Sequence, residues 1–189
     1  MRKVLYIAPM YLVCIMVCFT AIAQSDENKG EKAMSGEKMA IVSPAFKMGA
    51  PIPKKYTGDG PDISPPLTWE GVPKDAKSLA LISDDPDAPV GTWVHWVIFN
   101  IPPTEKGLPE GVPKTETLPN GAKQGINDFR KIGYNGPAPP PGKPHRYYFK
   151  LYALDTVLNL PSGVKKSDLL RAMEGHILAT AEYMGTYQR

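Results

Sequence analysis

The chain has 189 residues, 22 basic and 19 acidic side chains, a formal charge of +3 and 42% hydrophobic residues. That is enough apolar material for one buried core, and too small a charge excess to recruit a polyanion such as nucleic acid. Both cysteines, Cys14 and Cys18, fall in an apolar N-terminal stretch. The body therefore offers no disulfide, no thiolate nucleophile and no cysteine-held metal.

Arg2 and Lys3 precede the apolar run Val4–Ala23, which closes on the small-residue pattern Ala21-Ile22-Ala23. This is the layout of a secretory signal peptide, so residues 1–23 are expected to direct export to the periplasm or the exterior. The competing reading is an uncleaved anchor, because about 20 apolar residues span a bilayer. Pro9 interrupts the run and the small-residue exit favours cleavage. Neither cysteine follows the small residue that lipoprotein processing prefers. Cleavage would leave residues 24–189, with 20 basic against 19 acidic side chains. Residues 24–38 are mostly small, polar or charged and lack an apolar period, as expected of a solvated tether. Residues 39–189 then form one domain.

Prolines and glycines punctuate this body and leave little room for long helices. Ser78–Ser83 is a short apolar run, and Trp93–Phe99 is rich in aromatic and β-branched residues, so both read as central strands. A period of two in the second places Trp93, His95, Val97 and Phe99 on one face and Val94, Trp96 and Ile98 on the other. A third strand, Arg146–Leu154, alternates Tyr148, Lys150, Tyr152 and Leu154 with Tyr147, Phe149, Leu151 and Ala153. Ser167 is the expected N-cap of a helix running to Glu174, with Gly175 ending it. Beyond it, Ile177–Tyr183 suits a strand ending at Gly185. Strands without regular intervening helices predict a mainly β protein, a two-sheet antiparallel β-sandwich with one or two short helices.

Three segments carry chemistry. Asp84-Asp85-Pro86-Asp87-Ala88-Pro89 follows the first strand, and Pro86 holds Asp85 extended so that Asp85 and Asp87 can project from one rigid turn. An ordinary solvated acidic turn has the same composition. His95 stands in an otherwise apolar strand, where a hydrogen-bonded core histidine competes with a ligand group. A return of the chain would bring Asp85 or Asp87 against its imidazole. The loop Gly133–Tyr147 brings glycines that permit close approach, prolines that stiffen it, and His145 and Arg146 at its end. By itself it also reads as a stiff connector.

The ordered set Asp85-Pro86-Asp87-Ala88-Pro89, Trp93-Val94-His95, Gly133-x-x-Gly136-Pro137 and His145-Arg146-Tyr147 resembles the phosphatidylethanolamine-binding protein family, in its bacterial Raf-kinase-inhibitor-like branch. Gly60–Trp69, Gln124–Phe129 and Gly185-Thr186-Tyr187 extend the resemblance from about Ile41 to Arg189. It implies a β-sandwich with a small pocket for phosphate-like anions. By motif the pocket residues would be Asp85, Asp87, His95, His145 and Tyr147, with Gly133, Gly136 and Pro137 as its loop wall and Pro86 and Trp93 at its rim. Asp62 is a weaker candidate. Arg130 stands where bacterial relatives often carry glycine, and Ala138 where many carry cysteine, which removes thiol-based regulation there. The C-terminal helix of animal members is not expected.

The resemblance implies a non-catalytic binding protein without a cofactor or metal, whose ligand is a small anion or phospholipid headgroup. Protonated histidines are expected to meet the anion while the aspartates orient them, with tighter binding below about pH 6.5. Two other classes stay open. One is an inhibitor or interaction partner of an envelope protein, with a homodimer also open. The other is an acid–base or metal-assisted hydrolase, against which stand the missing HExxH helix and the lack of a nucleophile-elbow setting at Ser64 or Ser83.

Overall fold

The computed structural model describes residues 38–189. The expected signal peptide and residues 24–37 of the expected tether lie outside the described residues. Eight strands and one α-helix follow in chain order among the described residues: β1 (Ala40–Val42), β2 (Leu67–Glu70), β3 (Ser78–Asp85), β4 (Trp93–Ile101), β5 (Gly107–Leu108), β6 (Lys123–Gln124), β7 (His145–Leu154), α1 (Lys166–Met173) and β8 (Ile177–Tyr187). They form two antiparallel sheets, β1-β2-β5 and β6-β4-β3-β7-β8. The expected mainly β sandwich is the observed architecture, with α1 and a 3₁₀ turn at Lys54–Tyr56 as its short helical pieces.

Alternation within the central strands explains the layers. Leu79 and Leu81 of β3 and Tyr147, Phe149, Leu151 and Ala153 of β7 face the core that holds Leu67 and Trp69 of the small sheet. Ala80 and Ile82 of β3 turn the other way, into a second cluster closed by Leu158 and by Leu169 and Met173 of α1. Every residue of β3 is buried because both faces of its sheet are covered. Leu169 and Met173 are four apart and so share one helix face.

β4 departs from the simple period. The β3–β4 register steps from Ser83↔Trp96 to Asp84↔Val94, leaving His95 as an extra residue in a β-bulge. Val94 consequently joins Val97 and Phe99 in the helix-side cluster, while Trp96 and Ile98 enter the inter-sheet core. The expected grouping of Val94 with Trp96 and Ile98, and of His95 with Val97 and Phe99, fails for that reason. A second irregularity follows where Leu81↔Ile98 gives way to Leu79↔Ile101, with Asn100 at φ 55°.

Two boundaries also differ. Lys165, not Ser167, is the N-cap of α1, and the Asp168 carboxylate accepts the Lys165 N–H at 3.3 Å. Gly175, at φ 77°, ends the helix as expected. β8 continues past Gly185 to Tyr187 because its outer edge is occupied there. Gly49 N–H donates to the Met184 carbonyl at 2.8 Å, Ile52 N–H to that of Thr186 at 2.7 Å, and Thr186 N–H to that of Ala50 at 3.0 Å. The segment crosses so closely at Gly185 that an added Cβ would lie 2.5 Å from Ile52 Cγ1 and 2.7 Å from Phe46 Cε2. Gly185→Ala is therefore expected to lower unfolding free energy by about 1–3 kcal/mol in urea denaturation, as overpacking does. An unchanged midpoint would show that the crossing segment yields freely.

Candidate functional site

The end of β3, the start of β4 and the start of β7 converge on a cavity of about 200 Å³. Asp85, Trp93, His95, His145 and Tyr147 all line it. Adjacent strands place them together: Asp85 pairs with Trp93 across β3–β4, and Asp84 with Tyr148 across β3–β7. Antiparallel pairing thus assembles one site from segments up to 62 residues apart, from Asp85 to Tyr147.

The acidic turn divides its two carboxylates. Asp85 Oδ1 accepts the Asp87 N–H at 2.8 Å, while Oδ2 holds His145 Nδ1 at 2.8 Å. The carboxylate orients the His145 ring, leaving Nε2 for a ligand. Asp87 does not line the cavity. It accepts three N–H groups of Arg146, from the backbone at 2.9 Å, Nε at 2.9 Å and Nη2 at 2.7 Å. These bonds pull the Asp87 carboxyl down to about 2. The expected ligand role of Asp87 becomes an anchoring role, because a bidentate guanidinium on the adjacent strand satisfies it first. Pro86 likewise stiffens the turn without lining the cavity, whose rim takes Ala88, Pro89 and Val90 instead.

His95 is held by a backbone group rather than by the expected carboxylate. Its Nδ1–H donates to the Asn135 carbonyl at 2.6 Å, and its own carbonyl accepts the Asn135 N–H at 3.0 Å. Burial lowers the pKa of His95 more than the Asn135 hydrogen bond and the charges of Asp85, Asp62 and Asp84 raise it. The ring is neutral near pH 7, with Nε2 an acceptor. This burial works against the expected protonation of His95 at mildly acidic pH.

The loop 133–140 is positioned by residues that do not themselves line the cavity. Asp62, at φ 57°, accepts Asn135 Nδ2–H at 2.7 Å, Gly136 N–H at 2.6 Å and Lys114 Nζ–H at 3.0 Å. Asn127 Nδ2–H donates to Gly133 O at 2.9 Å and to Asn135 Oδ1 at 2.9 Å. Gly136 packs so tightly that a Cβ would collide with the Tyr56 carbonyl, and the Pro137 carbonyl accepts Gly58 N–H at 2.8 Å. Gly133, Gly136 and Pro137 are thus the supports of the loop wall, and Ala138, Pro139 and Pro140 are its surface.

Phe129 completes the apolar side, edge-on to Trp93 and His95 at 5.5 and 5.3 Å between centroids. It lies inside the Gln124–Phe129 motif, but nothing in its local spacing marks it as a wall residue. Tyr147 sits edge-on to His95 at 5.2 Å. Its hydroxyl is buried near the Asp85 carboxylate and meets strict hydrogen-bond geometry with no group among the described residues. Burial first, then the negative charge of Asp85 and a hydrogen bond toward its carboxylate, push the Tyr147 pKa up, so the phenol keeps its proton. The cavity offers a phenolic donor, a neutral imidazole acceptor and a carboxylate-oriented imidazole, within mostly apolar walls. No Lys or Arg lines it. Among the described residues, no group of three His, Asp or Glu side chains is placed to hold a metal ion.

The buried state of His95 sets a sign for pH dependence. Below about pH 6.5 the unfolded chain takes up the proton that folded His95 refuses, so stability falls as pH drops through that window. Urea unfolding at about pH 7.5 and about pH 5.5 is expected to show a loss in wild type that His95→Gln reduces, by up to about 1.4 kcal/mol per pH unit. Identical pH slopes in the two proteins would rule out a depressed His95.

Known proteins share this architecture and sequence. The phosphatidylethanolamine-binding protein profile matches residues 42–188. A UPF0098 protein of Methanothermobacter thermautotrophicus is 58% identical over 151 residues, covering 80% of this chain and 99% of its own. The crystal structure of a phosphatidylethanolamine-binding protein homologue from Chlamydia trachomatis is similar at a TM-score of 0.74 and 49% identity, over 80% of this chain and 98% of that one. That of E. coli YbcL gives 0.75 and 36%, over 80% and 99%. With overall structure, sequence and profile in agreement, this chain belongs to the phosphatidylethanolamine-binding protein family.

Proposed function

We propose that the chain is a non-catalytic binding protein whose cavity takes a small phosphate-like anion, either free or as a phospholipid headgroup or phosphorylated group. Family membership is consistent with a binding protein. The observation that carries the reading is the convergence of Tyr147, His95 and His145 on one cavity, where the Tyr147 hydroxyl has no well-directed protein acceptor. An unmet buried donor costs about 1–3 kcal/mol, and a ligand oxygen would recover that cost.

The neutral state of His95 refines the ligand. Its Nε2 accepts a proton, whereas the Tyr147 hydroxyl donates one. A monoanionic phosphate or phosphomonoester, carrying both a P–OH and P–O⁻ oxygens, complements that set better than the dianion. The volume of about 200 Å³ suits a headgroup-sized ligand, and Trp93 and Phe129 cover its carbon side. Recognition of a phosphorylated group on a partner protein would use the same atoms. Export belongs to the same reading and rests on the apolar stretch Val4–Ala23.

Calorimetric titration with glycerol phosphate tests it. A phosphomonoester loses its second proton near pH 6, so affinity is expected to be higher at about pH 6 than at about pH 8. Tyr147→Phe should weaken binding about 10- to 150-fold, as the loss of one hydrogen bond to a charged group does. Equal or tighter binding at the higher pH, or no effect of removing the hydroxyl, would overturn the reading.

A further inference from the structure

A second concavity, of about 350 Å³, shares β4 and the 127–130 segment with the first. Val94 lines it, whereas Trp93 and His95 line the first cavity. Phe129 lines the first, whereas Asn127, Asp128 and Arg130 line the second. Lys165, Lys166 and Ser167 make its opposite wall.

Its charge is strongly one-sided. Asp84, fully buried on β3, accepts from Lys150 Nζ at 2.9 and 3.2 Å and from Lys166 Nζ at 2.5 Å. Of these two ammonium groups Lys166 lines the cleft, whereas Lys150 lies outside it, opposite Glu182 on β8. Arg130 and Lys165 line it as well, and among the described residues no carboxylate forms an ion pair with the side chain of either. The opposing charge at the cleft surface is Asp128, whose Oδ2 already accepts the Val94 N–H at 2.7 Å. Three cations thus line a cleft whose own carboxylate, Asp128, is already engaged, with the Asp168 carboxylate beside it taken up by the Lys165 N–H. Arg130 also holds a left-handed backbone, φ 61°, which side-chain-bearing residues adopt at a cost.

We propose that this cleft is a second oxyanion site, independent of the Tyr147 cavity, that takes the phosphate group of free phosphate or of a small phosphomonoester. Arg130 and Lys165 close on the oxygens from opposite walls, and Lys166, which also lines the cleft, adds its charge to the field there. The ligand lies on the helix side of β4, so the two sites can fill together.

Amide chemical shifts of the full chain, followed during titration with inorganic phosphate and with glycerol phosphate, test the proposal. Saturable shifts are expected at Lys166, Ser167 and Arg130, also in a His145→Gln/Tyr147→Phe variant whose first cavity is disabled. Arg130→Gly/Lys165→Ala should weaken the cleft response at least about tenfold, as the loss of charge-assisted bonds does. Arg130→Gly alone should weaken it while raising Tm, since glycine adopts the left-handed backbone freely. Equal affinity for both probes would identify free phosphate as a sufficient ligand, and tighter binding of the ester would identify phosphomonoesters as the preferred source. Shifts that rise linearly with sodium chloride as with phosphate, that persist in the Arg130→Gly/Lys165→Ala variant, or that vanish with the first-cavity substitutions would overturn the proposal.

Discussion

The reciprocal bond between His95 and Asn135 holds the candidate site together. The imidazole Nδ1–H reaches the Asn135 carbonyl while the His95 carbonyl takes the Asn135 N–H. One residue pair therefore fixes the tautomer of the ring and seals the 133–140 loop to the sheet. His95 sits at the bulge of β4, and its carbonyl joins those of Val94 and Val97 in accepting N–H groups from the segments that flank the strand. Asp62 and Asn127 then hold Asn135 from behind. Loss of any member would leave buried polar groups unpaired, so the network behaves as a unit.

Carboxylates crowd this end of the sandwich, yet each is spent on orientation. Asp85 aligns His145, Asp87 clamps Arg146, Asp62 supports the loop, and Asp84 takes two lysines. Paired in this way they contribute geometry more than repulsion, which removes the apparent conflict between an acidic motif and a proposed anion ligand. The same pairing separates two environments across β4. On one side lie aromatic rings and a neutral imidazole, and on the other an excess of cationic side chains.

Much of the fold was legible because burial imposes a period. β3, β4 and β7 announced themselves by apolar and aromatic content, β7 kept its alternation throughout, and Gly175 marked the end of α1. β5 and β6, at two residues each, are too short to leave a periodic trace and exist only because a neighbouring strand offers hydrogen bonds. The faces of β4 could not be read through His95, since a bulge depends on the partner strand's register.

The residue types of the site, and the order of the motifs that identify the family, were determined by the sequence alone: a histidine in an apolar strand, an acidic proline-locked turn, and a glycine-proline loop leading into a second histidine. Only the tertiary structure decided which of those groups meet. It gave Asp85 to His145 and Asp87 to Arg146, handed His95 to a backbone carbonyl, and made Ala138–Pro140 rather than Gly133–Pro137 the lining of the wall. The physical reason is that composition and period record how each segment is buried, whereas a polar atom's partner is set by competition among groups far apart in the chain, resolved only when the sheets close.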